Sequence, residues 1–141
     1  KADGLKMSEL YLEIVTPSKL AFNGEIKSIT VPGTKGRFQV LKNHAPIIST
    51  FDVGMIKVDL LDAKSNYYSA AGGTIEVLDN KVLVLADSIE LVSEIDEERA
   101  LKAKQRAEER LAEKNSEINI ARAQAALARA NNRLSIKEKY K

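Results

Sequence analysis

The 141-residue sequence has no cysteine, no tryptophan and a single histidine, and only 5% of its residues are aromatic. Without cysteine the chain cannot form a disulfide or a thiolate metal site. The histidine, His44, lies in a turn before a proline. With no second histidine or cysteine to share a metal, His44 is expected to orient its loop through a hydrogen bond. No stretch approaches the ~18 apolar residues of a membrane-spanning helix.

Motifs for enzyme catalysis are also missing. Gly33-x-x-Gly36 is too short for a dinucleotide or P-loop fingerprint, and no helix is predicted to follow it. The serines are scattered, with no base partner that would make one a nucleophile. The sequence therefore predicts no catalytic residue and no catalytic cofactor.

Residues 7–92 alternate between apolar and polar side chains, and turn residues recur at intervals typical of antiparallel strands. Phe22-Asn23-Gly24 and Asp79-Asn80 are predicted turns, and Gly72-Gly73 predicts a bulge or a close backbone contact. The predicted strands cover residues 10–15, 25–31, 38–41, 47–48, 53–60, 67–70, 74–78 and 81–86. This pattern favours a flattened antiparallel β-sandwich or barrel. Residues 1–6 resemble an expression remnant and are excluded.

Residues 93–141 are predicted to form an antiparallel two-helix hairpin. Asp96 is a suitable N-cap, and two glutamates follow it in the first turn, where negative charge suits the helix dipole. The first helix is expected to run to Lys114. Asn115 or Ser116 would cap a second helix over residues 118–136.

The apolar stripes of both helices consist largely of alanine. They comprise Ala100, Ala103, Ala107 and Leu111 on the first helix and Ile120, Ala123, Leu127, Ala130 and Leu134 on the second. Alanine allows close approach but buries little area, and burial stabilises by only about 25 cal/mol per Å². Helices of this length are also marginal alone in water. The hairpin is therefore expected to dock conditionally, as a movable arm would.

The hairpin is the more basic part of the chain, with 12 basic and 9 acidic residues over 93–141. Arg122, Arg129 and Arg133 share one stripe of the second helix, and an antiparallel turn near residue 116 places Arg133 opposite Arg99. Guanidinium groups in such a cluster suit phosphate or carboxylate. The alternative is a solvated face, or weak ion pairs with the glutamates 97, 98 and 109.

Taken in order, these elements resemble the epsilon subunit of bacterial F-type ATP synthase over almost the whole chain. The motifs that carry the resemblance are Val31-Pro-Gly-Thr-Lys-Gly-Arg-Phe38, Asn43-His-Ala-Pro46, Val53-Gly-Met-Ile56, Ala71-Gly-Gly-Thr-Ile75, Val84-Leu-Ala-Asp87 and Ile95-Asp-Glu-Glu-Arg-Ala100. Each motif is short, but their order and spacing together are specific.

The resemblance implies a non-catalytic subunit of the central stalk, or rotor. Its expected partners are the gamma subunit and the c-ring, together with the alpha and beta subunits. It would help to couple proton transport to ATP synthesis, and its helices, when extended, would inhibit ATP hydrolysis. The expected location is the cytoplasmic face of the bacterial plasma membrane, with membrane association only through the complex. No nucleic acid is expected as a partner.

The resemblance also implies site residues. ATP would bind as a regulatory signal, with or without Mg²⁺, at Glu90, Ile95, Asp96, Arg99, Ala100, Arg122, Arg129 and Arg133. The loops expected to meet the ring and stalk contain Gly33, Lys35, Gly36, Arg37, His44 and Pro46.

Two other classes of protein remain as alternatives. The first is a β-sandwich adaptor whose basic helical arm grips an acidic protein partner or nucleic acid. The predicted helices, which end at Ile136, carry no aromatic residue for base stacking, and this argues against single-stranded nucleic acid. The second is an enzyme, which measurable ATPase activity of the isolated chain would reveal.

Overall fold

The computed structural model describes residues 9–113 and 117–140, without the side chain of Ile118. The predictions for residues 1–6 and for the caps at Asn115 and Ser116 lie outside the described residues. The strands are β1 Leu10–Val15, β2 Leu20–Ile26, β3 Ser28–Val31, β4 Phe38–Leu41, β5 Ile47–Phe51, β6 Gly54–Asp59, β7 Ser65–Ala70, β8 Gly73–Leu78, β9 Lys81–Ala86 and β10 Ile89–Leu91. A 3-10 turn at Val92–Glu94 leads into the helices α1 Glu97–Glu113 and α2 Glu117–Tyr140.

The strands form two five-stranded sheets that face each other across one core. The first sheet has the order β2-β1-β9-β8-β5, and the second has the order β10-β7-β6-β3-β4. In β1, β8 and β9 alternate residues are buried between the sheets, and in β1 every second side chain is inaccessible. The predicted sandwich followed by a helical pair is confirmed. One strand pair, β1 with β9, is parallel, which the prediction of an antiparallel sandwich did not include.

Two strand predictions near the start of the sandwich are wrong in detail. Phe22-Asn23-Gly24 lies inside β2, because β1 pairs with this segment and places Leu12 opposite Gly24. The stretch predicted as one strand over 25–31 is divided at Lys27. There the chain crosses from the first sheet to the second, and the Lys27 N–H donates to the carbonyl oxygen of Asp59 at 2.8 Å.

The predicted turn and close contact at the two ends of β8 are both present. Asp79 and Asn80 have positive φ values of 49° and 63°, as the two central residues of a type I′ hairpin turn do. At the other end of the strand, a Cβ on Gly73 would collide with the carbonyl oxygen of Leu85. Only glycine therefore lets β8 approach β9 at this point.

A carboxylate joins three strands of the second sheet. The hydroxyls of Ser28 and Ser65 each donate to Asp59 at 2.7 Å, and the Lys57 ammonium lies 3.5 Å from it. Partial burial acts to raise the pKa of the Asp59 carboxyl. The two hydrogen bonds and the lysine charge outweigh burial and hold that pKa below its usual value.

The two helices pack against each other through small side chains. Their buried residues include Ala100 and Ala107 on α1 and Ala123 and Ala130 on α2, as the predicted stripes require. Helix α2 is longer than predicted and continues one turn beyond Ile136 to Tyr140. The added turn follows no apolar stripe in the sequence.

The hairpin docks on the sandwich through the C-terminal half of α2. The Asn132 side-chain amide donates to the Gly54 carbonyl at 2.9 Å and to the Ser69 hydroxyl at 3.1 Å. At the helix end the Tyr140 ring stacks on Tyr67 of β7, with centroids 3.9 Å apart. Between these contacts the Lys137 ammonium donates to the Val92 carbonyl at 3.0 Å. The docking therefore includes polar and aromatic contacts, and Ile136 on the same half of α2 is buried as well.

Candidate functional site

The start of α1 is fixed by Asp96, as the sequence predicted. Its carboxylate accepts the backbone N–H of Arg99 at 3.1 Å, and its carbonyl accepts that of Ala100 at 3.0 Å. Ile95 and Ala100, on either side of the first turn, are both buried. Asp96 therefore acts as the N-cap, and the position of Arg99 on the first turn follows from it.

An ion pair joins α2 to the last strand of the sandwich. Glu90 lies on β10, opposite Ser69 of β7. The Nε of Arg133 donates to Oε1 of Glu90 at 2.7 Å, and about one third of each side chain is exposed. A charge-assisted hydrogen bond at this distance is among the stronger side-chain contacts. Glu90, the partner of Arg133, was not among the glutamates weighed from the sequence as ion-pair partners.

The Glu90–Arg133 pair forms one side of an open cleft of about 270 Å³ between the sandwich and the hairpin. The cleft is lined by Glu90, Glu94, Asp96, Arg99, Ala100, Ala103, Arg106 and Arg133. Arg99 and Arg133 face the same space from opposite helices, as the antiparallel hairpin predicts. Three cations and three carboxylates in one cleft suit a ligand that carries both anionic groups and hydrogen-bond donors.

Arg129 lies beside this cleft and not within its lining. It borders a cavity of about 130 Å³ that also contains Glu90, and a groove of about 210 Å³ between the helices. Arg133 borders both of these spaces as well as the cleft. Arg129 is therefore the next arginine along the hairpin from Arg133, one helical turn away, as its spacing predicts.

The structure does not bring Arg122 into the cleft. Arg122 borders a separate cavity of about 250 Å³ together with Arg110 and Asn119, at the tip of the hairpin. It lies eleven residues before Arg133, or about 16 Å along the helix axis. The prediction of one shared stripe is compatible with this position, but a short ligand in the cleft would not reach Arg122.

Three residues of the cleft were not among the predicted site residues, namely Glu94, Ala103 and Arg106, and three predicted site residues, Ile95, Arg122 and Arg129, do not line it. Arg106 lies seven residues after Arg99, which puts both on one face of α1. Glu94 lies in the 3-10 turn, where its carboxylate accepts the Leu91 N–H at 2.9 Å. Ile95 is buried and does not line the cleft. The seven-residue spacing was a pattern that could have identified Arg106.

The loop over residues 33–37 is fixed by local backbone contacts. A Cβ on Gly33 would lie 2.6 Å from the Gly36 carbonyl oxygen, so a close approach, and not a positive φ, requires glycine there. Gly36 does have a positive φ, of 132°. Arg37 donates to the Met55 carbonyl at 3.0 Å, and Lys35 is exposed.

The loop over residues 42–46 is tied to the turn between β8 and β9. The Asn43 N–H donates to Oδ1 of Asn80 at 2.6 Å. The His44 ring nitrogen Nδ1 lies 2.7 Å from the Ala45 carbonyl oxygen, which agrees with the predicted loop-orienting role, and Pro46 is exposed. The two loops flank the four-residue strand β4, one before it and the other after it.

Over residues 9–113 and 117–140, no three carboxylate, histidine or cysteine side chains lie close enough together to hold a metal ion. Within the same part of the chain, neither helix has the length and apolar character needed to cross a membrane.

Comparison with known families identifies both parts of the chain. The family model described as the beta-sandwich domain of the ATP synthase delta/epsilon chain matches residues 9–92. The one described as the long alpha-helix domain of the same chain matches residues 93–138.

Curated relatives agree with the family models. The ATP synthase epsilon chain of Nitratidesulfovibrio vulgaris is 44% identical over 128 residues, which cover 91% of this chain and 95% of the relative. That of Syntrophomonas wolfei is 40% identical over 132 residues, covering 94% and 96%. The chain belongs to the family of ATP synthase epsilon chains. This subunit is not the catalytic one of the synthase.

Solved structures show the same fold at low sequence identity. A chain in the Euglena gracilis mitochondrial ATP synthase, solved as OSCP/F1/c-ring, aligns with a TM-score of 0.77 at 21% identity, covering 88% of this chain and 78% of that one. A chain in the central stalk and c-ring of the Tetrahymena thermophila enzyme aligns with a TM-score of 0.62 at 14% identity, covering 92% and 96%.

Proposed function

We propose that the chain is a subunit of the rotor of a proton-translocating ATP synthase, bound to the gamma subunit and the c-ring. Membership of the epsilon family supports this, as does the likeness of its fold to chains solved within F1/c-ring and central-stalk assemblies. It reaches the cytoplasmic face of the bacterial plasma membrane only through the complex. The adaptor alternative is no longer needed to explain the basic arm, because a synthase subunit already has protein partners.

The cleft is proposed to bind ATP as a regulatory signal. The observation that carries this is the Glu90–Arg133 ion pair, which forms one side of a cleft between sandwich and hairpin that two further arginines, Arg99 and Arg106, also line. The arginines would take the phosphates, whereas Glu90 would contact the nucleoside end. Asp96 would hold Arg99 in place through the helix cap. No residue here would hydrolyse the nucleotide, so ATP would act as a ligand.

Binding at this cleft would favour the docked hairpin, because its lining comes from the sandwich and both helices. A ligand that binds only one state stabilises it by RT ln(1 + [L]/Kd), about 2.7 kcal/mol at a hundredfold excess over Kd. The buried helix seam consists of alanines and contributes little area, so a gain of this size can shift the population of the docked arm.

The undocked arm is proposed to inhibit ATP hydrolysis. Its basic side chains would approach the acidic ends of the catalytic beta subunits within the alpha–beta assembly. Attraction between exposed charges is screened over about 8 Å at physiological salt, so this contact needs the arm to extend. Removal of residues 94–141 should raise ATP hydrolysis by the assembled enzyme while the rotor stays assembled. Unchanged hydrolysis would exclude the inhibitory role.

The ATP proposal is tested by calorimetric titration of the full chain, with and without Mg²⁺. A charge-assisted hydrogen bond is worth about 1.5–3 kcal/mol, so Arg133→Ala and Arg99→Ala should each weaken ATP binding roughly ten- to a hundredfold. Lys102→Ala is the matched control, because this cation lies on α1 outside the cleft and pairs with Glu98. Equal ATP affinity in the wild type and the three variants would mean that the arginines form a solvated face and do not bind ATP.

A further inference from the structure

A smaller cavity shares the Glu90–Arg133 ion pair with the cleft but is otherwise lined by different residues. This small cavity has a volume of about 130 Å³. Arg99 and Arg106, which line the cleft, do not border it. Its remaining lining consists of Ser69, Ala70, Ala71, Ser88, Ile89 and Arg129. The small cavity is therefore a space of its own, with hydroxyl groups that the cleft lacks.

The sandwich contributes two hydroxyls and a carboxylate to the small cavity. Glu90 on β10 lies opposite Ser69 of β7 in the antiparallel pair. Ser88 precedes Glu90 by two residues and borders the same cavity, as side chains two positions apart in an extended chain share a face. The Ala71 N–H donates to the Ser88 carbonyl at 3.0 Å and holds the two chain segments together. The Ser69 hydroxyl accepts the Asn132 amide at 3.1 Å, so its own proton is available to a ligand.

Helix α2 contributes two guanidinium groups to the same cavity. Arg129 and Arg133 are four residues apart, which makes them neighbours on one face of the helix. A guanidinium has five N–H donors, and the bond from Arg133 to Glu90 uses the one on Nε. Both arginines are half-buried, so their charges are screened less than those of exposed side chains. The helix therefore presents hydrogen-bond donors and positive charge to the serines of the sandwich.

The size and charge of the small cavity favour a small anion. Pockets for drug-sized ligands enclose about 300–1,000 Å³, so a cavity of about 130 Å³ is too small for a nucleotide. It has room for about four water molecules at about 30 Å³ each, and a tetrahedral oxyanion fits that space. Two guanidinium groups and one carboxylate leave the lining with a net positive charge.

We infer that the small cavity binds inorganic phosphate. The arginines would donate to its unprotonated oxygens from α2, and Ser69 and Ser88 would donate from the sandwich. Phosphate retains a proton at neutral pH, and the carboxylate of Glu90 would accept it, since a carboxylate can accept several hydrogen bonds at once. Sulfate has the same shape but no proton, so it would place an oxygen lone pair against the carboxylate. Glu90 therefore makes the site selective for phosphate over sulfate.

Phosphate in the small cavity would favour the docked hairpin, because the lining comes from both the sandwich and α2. A ligand that binds only the docked state increases the population of that state as its concentration exceeds Kd. Phosphate is a reactant of ATP synthesis, so the arm would respond to it as well as to ATP. This regulatory consequence rests on the proposed role of the hairpin, whereas phosphate binding itself does not depend on ATP binding in the cleft.

The test titrates the full chain with sodium phosphate, and separately with sodium sulfate, at constant ionic strength while amide resonances are followed by heteronuclear NMR. Saturable shifts are expected at residues 69–71 and 88–90, with sulfate binding at least about tenfold more weakly. Ser88→Ala removes a hydrogen bond to a charged group, so it should weaken phosphate binding about tenfold. It should leave ATP affinity within about twofold, because Ser88 does not line the cleft. The matched control is Ser93→Ala, since this exposed serine borders neither space.

Two further variants assign phosphate to the small cavity and not to the cleft. Arg99→Ala alters the cleft, so it should weaken ATP binding and leave phosphate affinity within about twofold. Glu90→Gln replaces the carboxylate with an amide that can donate a hydrogen bond, so sulfate should then bind about as tightly as phosphate. The chemical shifts of the Tyr67 ring, on which Tyr140 stacks, verify that α2 stays docked in each variant.

Three results would overturn the inference. Equal affinity of the wild type for phosphate and sulfate would mean that the arginines attract anions without selection by Glu90. Equal phosphate affinity in the wild type and Ser88→Ala would exclude the serine from the site. Loss of phosphate binding in Arg99→Ala would place the phosphate in the cleft. Absence of ATP binding to a chain that still binds phosphate would overturn the proposed ATP site alone.

Discussion

The sandwich and the hairpin are stabilised by different kinds of side chain. The sandwich core is filled by leucine, isoleucine and valine, most of them fully inaccessible. In the hairpin the buried residues between the helices are alanines. Burial of a methyl group yields a fraction of the free energy that burial of a leucine yields. The sandwich is therefore stable through its own core, whereas the position of the hairpin depends on a few polar and aromatic contacts that a ligand can supplement.

The largest effect is expected in the sandwich core. Ile75 on β8 is fully buried, so Ile75→Ala should lower the free energy of unfolding by about 2–5 kcal/mol, measured by urea denaturation. The matched control is Ile48→Ala on the neighbouring strand β5, where the side chain is 76% exposed, and a change within about 0.5 kcal/mol is expected. Similar losses in both variants would contradict the division between core and surface.

The next effect tests whether polar contacts hold the hairpin in place. Asn132→Ala removes two hydrogen bonds to the sandwich, so docking should weaken by about 1–3 kcal/mol. Hydrogen exchange of α2 amides should quicken, while that of the central strands should not. The neighbouring Asn131 is exposed, and Asn131→Ala serves as the control with the same chemical change. If both variants exchange alike, Asn132 does not hold the arm.

A smaller effect is expected at the end of α2. The stack of Tyr140 on Tyr67 should be worth about 0.5–1.5 kcal/mol beyond its buried area, so Tyr140→Ala should fray the last turn of the helix. The chemical shifts of the Tyr67 ring protons report the stack directly. Tyr140→Phe retains an aromatic ring and should keep both the shifts and the last turn. Loss of the stack in this variant would mean that the hydroxyl, and not the ring, makes the contact.

The smallest expected effect is a change in how the stability of the sandwich depends on pH. The lowered pKa of Asp59 means that the sandwich gains stability from this carboxylate above the unfolded value of about 4 and loses it as the pH falls through the folded value. Asp59→Asn should therefore reduce stability at neutral pH and flatten its decline below about pH 4. Urea midpoints measured across that range test this expectation. An unchanged pH profile would show that Asp59 has no part in acid sensitivity.

The sequence predicted features that depend on neighbouring residues better than those that depend on distant ones. The Asp79-Asn80 turn and the Asp96 cap need only residues a few positions away, and both are present. The last turn of α2 was missed because its support is Tyr67, which lies more than seventy residues earlier. The predicted turn at Phe22–Gly24 was wrong because pairing with β1 overrides a local preference for a turn.

The residues of the candidate site also divide into those that local patterns predicted and those that depend on distant parts of the sequence. Arg99 and Arg133 could be paired from helix spacing and an antiparallel turn, and the structure places them in one cleft. Glu90 could be assigned only through the family resemblance, because its contact with Arg133 joins residues 43 positions apart in sequence. Arg106 could have been found from its seven-residue spacing to Arg99, which puts both arginines on one face of α1.

The parallel pairing of β1 with β9 has a consequence for the order in which the chain is made. β1 lies inside the first sheet, between β2 and β9, so one of its edges stays open until residues 81–86 have been synthesised. Contacts between segments this far apart are slow to form, and an open strand edge in a nascent chain invites wrong partners. The helices follow directly after β10 in the sequence. When the hairpin leaves the ribosome, all ten strands of the sandwich have been synthesised, including β6, β7 and β10, which it contacts.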